Sequence, residues 1–379
     1  MSPLLQKNKF PLTWVEVDLN ILKKNLRAVR SVVRESSAGI LAVVKADAYG
    51  HGMLRVSAAL WEEGVRFFGV ATIDEALVLR KSLPKAAILV LGCFHPTQLK
   101  DYISKKITPT ISGMEDAMLL SRALKSIRKF PVHVKIDTGM GRLGLPYQQA
   151  GDFFKKIQSL PGITIEGVYT HFSSADDESV TPTHTQLKIF EDCLKKIRAL
   201  GVKPKYIHAA NSMGVLRFKE AHFNLVRPGL VLYGLKSSPR AKLPNGIRPI
   251  LSWRARISFL KKFTCGQTVS YGRTHKILKN TLIATLPVGY SHGYRVAFSN
   301  RASVIVRKKR CPVVGRVTMD QILVDVGRIS GVKRWEGVAL IGGRGAQAIT
   351  AQDLAGLAGT IPYEIVCGIH SRVPRIYKK

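Results

Sequence analysis

The stretch AVVKADAYGHG, Ala42–Gly52, opens on apolar residues and then sets Lys45 where a buried strand ends, with Asp47, Tyr49 and His51 close behind. Alone, it reads as a strand-ending loop whose lysine reaches for water. Its surroundings decide otherwise. Short apolar runs alternate with helical patterns from Ile40 to Leu235, the rhythm of βα units on a parallel sheet. The strand candidates are Ile40–Val44, Phe67–Ala71, Ala87–Leu91, Thr108–Ile111, Val132–Ile136, Ile163–Tyr169, Tyr206–His208 and Leu225–Val226. Between them, MLRVSAALWEEG and TQLKIFEDCLKKIRALG carry apolar residues at helical spacing and end in glycine, a common C-terminal cap. Eight such units predict an α/β fold, a (β/α)8 TIM-type barrel, with the active site at the C-terminal ends of its strands. Lys45 follows the first strand, so it belongs to that face.

Beyond the barrel, KSSPRAKLPNGIRP (Lys236–Pro249) is polar, basic and proline-rich, and reads as a linker. The runs that follow, from SWRARISFLKK to GVALIGG, have strand character and are broken by turns. The chain of 379 residues therefore divides into a barrel domain, 1–240, and a mainly β C-terminal domain, 241–379. TWVEVDLN, residues 13–20, alternates apolar and polar side chains and is expected as a strand outside the barrel.

Composition sets the outer limits. No apolar run approaches the ~20 residues needed to cross a bilayer, and MSPLLQKNKF lacks the apolar core of a signal peptide, so a cytoplasmic protein with no membrane partner is expected. Five scattered cysteines, none in a CxxC pair, argue against a disulfide scaffold or a metal site and fit a reducing compartment. The net charge of +34 arises from 59 basic against 25 acidic residues. The excess is spread as pairs such as Lys23-Lys24 and Lys155-Lys156 over many helices, with RKKR at 307–310 the densest run. That describes a basic surface, which steers anions, rather than a specific nucleic-acid face.

The C-terminal ends of the expected strands collect chemistry. Lys45 and Tyr49 follow the first; KIDTGMGRLG brings Lys135, Asp137 and Arg142 after the fifth, with glycines that let backbone approach a ligand; YTHFSSAD brings His171 after the sixth. The seventh and eighth lead into Asn211, Ser212, Arg227, Gly229 and Leu230, where barrels often bind phosphate. A lysine facing a phosphate site fits a pyridoxal phosphate enzyme. A Schiff-base lysine of the aldolase kind fits almost as well.

The motifs AVVKADAYGHG, KIDTGMGRLG, THFSSAD, NSMG, VRPGLVLYG, VSYGRTH, GRVTMDQ, IPYE and RVPRIY stand in one order from Trp14 to Tyr377, and in that order the chain resembles the alanine racemases. The resemblance implies an isomerase that interconverts L- and D-alanine and supplies D-alanine for peptidoglycan, with pyridoxal 5'-phosphate carried on Lys45. It implies Tyr271 as the base on the opposite face. Around the cofactor it implies Tyr49, His171, Ser212, Arg227, Gly229, Leu230 and Tyr363, with Arg227 toward the pyridine nitrogen, and Asn211 in the loop after the seventh strand joins them as a candidate. For substrate it implies Arg142, the amide of Met319, and Asp320 and Tyr290 along the approach. Lys135 is the position carbamylated in many members. The family's arrangement is a homodimer in which each site takes Tyr271 and Met319 from the other subunit.

Physical reasoning adds to this. Racemisation removes the α-proton from one face and returns one to the other, so two bases must flank the planar centre. A phenol with an ordinary pKa near ~10 is a weak base at neutral pH, so a nearby cation, His171 or Arg142, is expected to lower it. An arginine at the pyridine nitrogen keeps its own protons and so does not protonate that nitrogen. Serine racemases and broad-specificity racemases share these features and compete as readings, Tyr363 favouring a small side chain. From another class come a non-catalytic carrier of the cofactor and a basic nucleic-acid-binding protein. A resembling carrier lacks the β domain, and no stacking aromatics interleave the basic runs. His51, His208 and Asp137 each also read as structural, and Tyr290 and Tyr294 as either packing or a channel mouth. His292 departs from the family pattern, which usually has aspartate there.

Overall fold

The computed structural model describes residues 11–124, 129–238 and 240–378. The signal-peptide reading of residues 1–10 lies outside them, as does position 239 of the linker segment. Two compact units emerge: residues 22–234 with 241–247 in one, residues up to 21 with 235–240 and 248 onward in the other. The polar segment at 236–249 is thus divided between the units, and the strand read over 13–20 is grouped with the C-terminal one.

The first unit carries the eight parallel strands. In chain order, with β1 (Thr13–Asp18) reserved for the other unit, they are β2 (Gly39–Val43), β3 (Phe67–Val70), β4 (Ala87–Val90), β5 (Thr110–Ile111), β6 (Phe130–Asp137), β8 (Ile163–Tyr169), β9 (Tyr206–His208) and β10 (Leu225–Val226); β7 (Leu145–Pro146) is a short partner of β6. They pair in the orders β10-β2-β3-β4 and β5-β6-β8-β9. Two seams close the ring. At one, Val90 N donates to Thr108 O (3.0 Å) and Thr108 N to Ile88 O (2.9 Å); at the other, Arg227 N donates to Ala210 O (2.9 Å). Leu41, Val43, Phe67, Leu89 and Leu225 form a buried cluster that Tyr49 packs against.

The helices follow the apolar spacing. Over Met53–Glu62, Met53, Val56, Ala59 and Leu60 turn one face inward, and Gly64 beyond its end takes φ 86°. Thr181–Ala199 buries Leu187, Phe190, Leu194 and Ile197 in the same way and is followed by Gly201 at φ 77°.

The second unit is built on a nine-stranded sheet. Its members are β1, β11 (Leu251–Arg256), β12 (Phe259–Phe263), β15 (Thr281–Leu286), β16 (Ser303–Val306), β17 (Lys309–Val314), β18 (Ile322–Asp325), β19 (Gly337–Ile341) and β20 (Arg375–Lys378), β13 (Thr268–Val269) and β14 (His275–Lys276) forming a separate hairpin. β1 is antiparallel to β11, with Val15 opposite Trp253, and parallel to β20, with Val15 opposite Arg375. Buried and partly buried residues alternate along β1 and β11, as one covered face requires. Two short helices, Ala351–Ala358 and Pro362–Cys367, accompany the strands. Among the described residues no helix is long and apolar enough to cross a membrane.

Candidate active site

After β2 the chain does something no periodicity foretells. Ala46, Asp47, Ala48 and Tyr49 all take φ between 52° and 54°, a turn of left-handed helix without a glycine. Side chains in that conformation crowd the following carbonyl, at about 1–2 kcal/mol per residue. Compensation comes from the residues that looked curious in sequence. Asp47 Oδ1 accepts the amide of Met53 (2.7 Å) and so starts the next helix. The buried His51 ring donates from Nδ1 toward the carbonyls of Ala48 (2.9 Å) and Tyr49 (2.8 Å). Glu75 accepts the Ala46 amide at Oε1 and the Ala71 amide at Oε2, both at 2.7 Å. The turn holds Lys45 at the end of the strand and carries Tyr49 back over the barrel.

Tyr49 meets Gly229 there. A Cβ on Gly229 would stand 2.8 Å from the phenol oxygen and 3.3 Å from Val43 Cβ, so only glycine lets the phenol approach this closely. Ser212 Oγ accepts the amides of Gly229 (3.0 Å) and Val231 (3.3 Å), which leaves its own proton to donate. Asn211 Oδ1 caps the turn at Ser212–Arg217 through the Gly214 amide (2.9 Å). Leu230, buried, begins the next turn.

Lys135, near the end of β6, is only 4% exposed. Burial, then the charges of Arg142 and Arg227, with Lys45 adding and Asp137 opposing, pull its amine down to about 8. Asp137 serves its own loop: Oδ1 accepts the amides of Gly139 (2.9 Å), Met140 (2.9 Å) and Gly141 (3.1 Å). Burial would raise this carboxyl, but those amides and Lys135 hold it below its usual range. The loop glycines let the backbone wrap this carboxylate, with Gly139 at φ 134° and Gly141 at φ 67°.

His171 sits among Arg227, Lys135, Arg142 and Lys45. Burial first, then those cations, push it well below the ordinary histidine range, so it is neutral. That shift disfavours His171 as the cation that lowers a phenol; Arg142 is exposed at its loop. Arg227 is buried, donating from NH1 to His208 Nδ1 (2.8 Å) and from NH2 to the carbonyls of Thr170 (2.7 Å) and Ala209 (2.9 Å) and to His171 Nδ1 (3.3 Å). Nε takes no part in these bonds. Burial lowers the guanidinium to about 10, which leaves it charged at neutral pH. Lys45, Lys135, Arg142 and Arg227 thus form a cationic group suited to anions.

The remaining expected residues belong to the other unit. Tyr271 stands 71% exposed on a turn between Ser270 at φ 67° and Gly272 at φ 70°. The amides of Tyr290 and Ser291 donate to the carbonyls of Thr318 and Met319, both at 3.0 Å, so the 290 and 319 loops form one piece. Asp320 accepts from Ser291 Oγ (2.8 Å), and Met319 is 54% exposed. Tyr363 is partly buried in the helix Pro362–Cys367. Tyr294 is fully buried against Trp253 and Phe298 and lines no channel mouth, whereas Tyr290 is exposed. His292 is buried, with Nδ1 accepting the Gly289 amide (3.2 Å). Among the described residues no group of three or more His, Cys, Asp or Glu is placed to hold a metal ion.

Two contributors escaped the sequence reading. Glu75 stands three residues after Thr72, the spacing of a capping box, which disguises its clamp on the Lys45 turn. Gln186 joins Thr138, Ser173 and the His171 carbonyl from a distant helix, with no local signal at all.

Comparison with known proteins adds the following. Residues 17–237 match the family model "Alanine racemase, N-terminal domain" and residues 250–377 match "Alanine racemase, C-terminal domain". The alanine racemase of Symbiobacterium thermophilum is 42% identical over 366 residues, covering 96% of this chain and 97% of that protein. The crystal structure of the Bacillus anthracis alanine racemase with bound L-Ala-P superposes with TM-score 0.90 at 35% identity, over 98% of this chain and 96% of that one. The Bartonella henselae alanine racemase with covalently bound pyridoxal phosphate superposes with TM-score 0.87 at 27% identity, over 97% and 100%.

Proposed function

This chain belongs to the alanine racemase family of isomerases, and from that premise we propose that it interconverts L- and D-alanine with pyridoxal 5'-phosphate bound beside Lys45 and with Lys45 and Tyr271 as its two bases. The residues fit that cofactor. The opening that a Cβ on Gly229 would fill lies against Tyr49 and Ser212, both able to donate to a phosphate, and Arg227 keeps Nε outside its buried bonds. When bound, the cofactor withdraws electrons from an attached amino acid and acidifies its α-proton. The observation that carries the reading is this glycine cradle beside four converging cations.

The chain's own residues do the rest. The amine of Lys45 would hold the cofactor and would serve as the base that exchanges the α-proton on its own face. The phenol of Tyr271 exchanges the proton on the other. Arg227 would face the cofactor's pyridine nitrogen, and because a guanidinium does not give up a proton it would keep the electron sink weak and disfavour transamination. Arg142 and the Met319 amide receive the substrate carboxylate, with Tyr290 and Asp320 along the approach and Tyr363 near the cofactor, favouring a small side chain. Lys135, with its amine near 8, is open to carbamylation: the neutral nitrogen bonds the carbon of carbon dioxide and loses a proton, replacing a cation by an anion beside Arg142. Tyr271 and Met319 are exposed in the single chain, which supports a homodimer in which each site borrows them from a second copy. A cytoplasmic role in supplying D-alanine for peptidoglycan follows from the same reading.

The test pairs a spectrum with turnover. The purified protein should show the internal-imine band near ~420 nm and form D-alanine from L-alanine. Lys45→Ala should lose both, and Tyr271→Phe should keep the band and lose turnover. Normal turnover in Tyr271→Phe refutes the two-base scheme, and kcat/KM for L-serine above that for L-alanine refutes the substrate. Activity in a clean monomer refutes the shared site.

A further inference from the structure

Behind Arg227 runs a chain of polar groups that the chemistry above does not use. His208 Nδ1 accepts from Arg227 NH1 at 2.8 Å, and His208 Nε2 lies 2.9 Å from His133 Nδ1. Both rings are fully buried. His133 Nε2 has no hydrogen-bond partner among the described residues and faces the carboxylate of Glu166, 3.7 Å from its Oε2. Guanidinium offers donors only, so this sequence has one solution. Arg227 donates to Nδ1 of His208, which must then carry its proton on Nε2 and donate to Nδ1 of His133, which in turn carries its proton on Nε2 and directs it at Glu166. Every link points the same way, and a second proton on either ring would set two N–H groups against each other.

The backbone is shaped for this arrangement. Along β6 and β8, Val132 pairs with Ile165 but His133 pairs with Gly167, so Glu166 is the extra residue of a bulge, a device that re-aims a side chain. A Cβ on Gly167 would stand 2.4 Å from the His133 ring, so the glycine clears the place the ring occupies. Tyr169 stacks on His208 at 4.6 Å, with a 6° interplanar angle, and fixes its plane.

We propose that Glu166 is a positioning residue for Arg227, acting through His133 and His208, whose tautomers it and the guanidinium fix from opposite ends. The carboxylate anchors the outer end of the chain, the two rings transmit the alignment, and the guanidinium is held through NH1 and NH2. The consequence for turnover rests on the reading of Arg227 as the partner of the cofactor ring.

The experiment uses protein loaded with pyridoxal phosphate and labelled with 15N-histidine, its signals assigned through His133→Gln and His208→Gln. Both rings should show a protonated Nε2 and an acceptor Nδ1 from pH 6 to 9. In Glu166→Leu the His133 signal should become a mixture of tautomers, and kcat should fall about tenfold, with KM within about twofold, as when an orienting partner of an active group is removed. Glu166→Gln retains an acceptor of the same shape and should fall between; it carries the test if the leucine variant fails to fold. Unchanged tautomers and unchanged kcat in these variants overturn the proposal, as does an Nδ1-protonated His208 in the parent protein. Arg227→Ala with an unaltered cofactor spectrum and turnover would instead overturn the reading of Arg227, while the histidine signals continue to judge the chain.

Discussion

Glu75→Gln probes how the left-handed turn behind Lys45 is held. Four residues at φ near 53° cost about 4–8 kcal/mol together, and the carboxylate of Glu75 offsets part of that through the Ala46 and Ala71 amides. A charge-assisted hydrogen bond contributes about 1.5–3 kcal/mol. Glutamine keeps one acceptor oxygen and turns an NH2 toward the other amide, and water reaches the exposed Ala46 side, so the loss should be about 2 kcal/mol. That is about 30-fold in the equilibrium by which the turn opens. Hydrogen exchange read by mass spectrometry on peptides spanning 45–53 should accelerate accordingly, with Glu62→Gln, at an exposed ion pair with Lys23, as the control. Cofactor retention should weaken alongside. If exchange over 45–53 matches the parent while the protein remains folded, the turn does not depend on this clamp.

Other perturbations follow from single contacts. Lys135 loses its proton near pH 8 when folded and near 10.5 when unfolded, so between those values the unfolded chain binds more protons and stability should rise with pH, by about 3 kcal/mol in all. Urea unfolding in carbonate-free buffer should show the parent gaining that much relative to Lys135→Met across this pH range, the other buried groups contributing to both profiles alike. Gly229→Ala would set a Cβ 2.8 Å from the Tyr49 phenol oxygen and should raise the dissociation constant for pyridoxal phosphate at least tenfold while costing about 1–3 kcal/mol of stability; equal affinity would remove the role given to this glycine. Gly289→Ala would set a Cβ 2.1 Å from the Thr318 carbonyl and should cost about 1–3 kcal/mol in denaturant unfolding.

The barrel was legible because each of its strands is a short apolar run closed by a helix signal, and Ile40–Val44 or Ile163–Tyr169 differ from the observed limits by at most a residue. What escaped was set by partners far away. The bulge at Glu166 exists only against β6, and the left-handed path from Ala46 to Tyr49 depends on Glu75, which local spacing assigns to a cap. Lys45, Lys135, Arg142, His171 and Arg227 could be nominated from motifs, because each lies at or beyond the C-terminal end of a strand that faces the same way. Their charge states could not. His171 is neutral because four cations and burial converge on it, a property of the assembled site.

The pairing of β1 with β20 bears on how the protein is made. The sheet of the C-terminal unit holds residues 13–18 between β11 and β20, so its N-terminal strand emerges from the ribosome first and waits for its last neighbour. At about 5–20 residues per second, the interval between Asp18 and Arg375 takes on the order of 20–70 s. β11 can cover one edge of β1 earlier, but the other edge stays open until β20 arrives, and cutting the chain before Arg375 would leave that edge free to pair with another nascent copy.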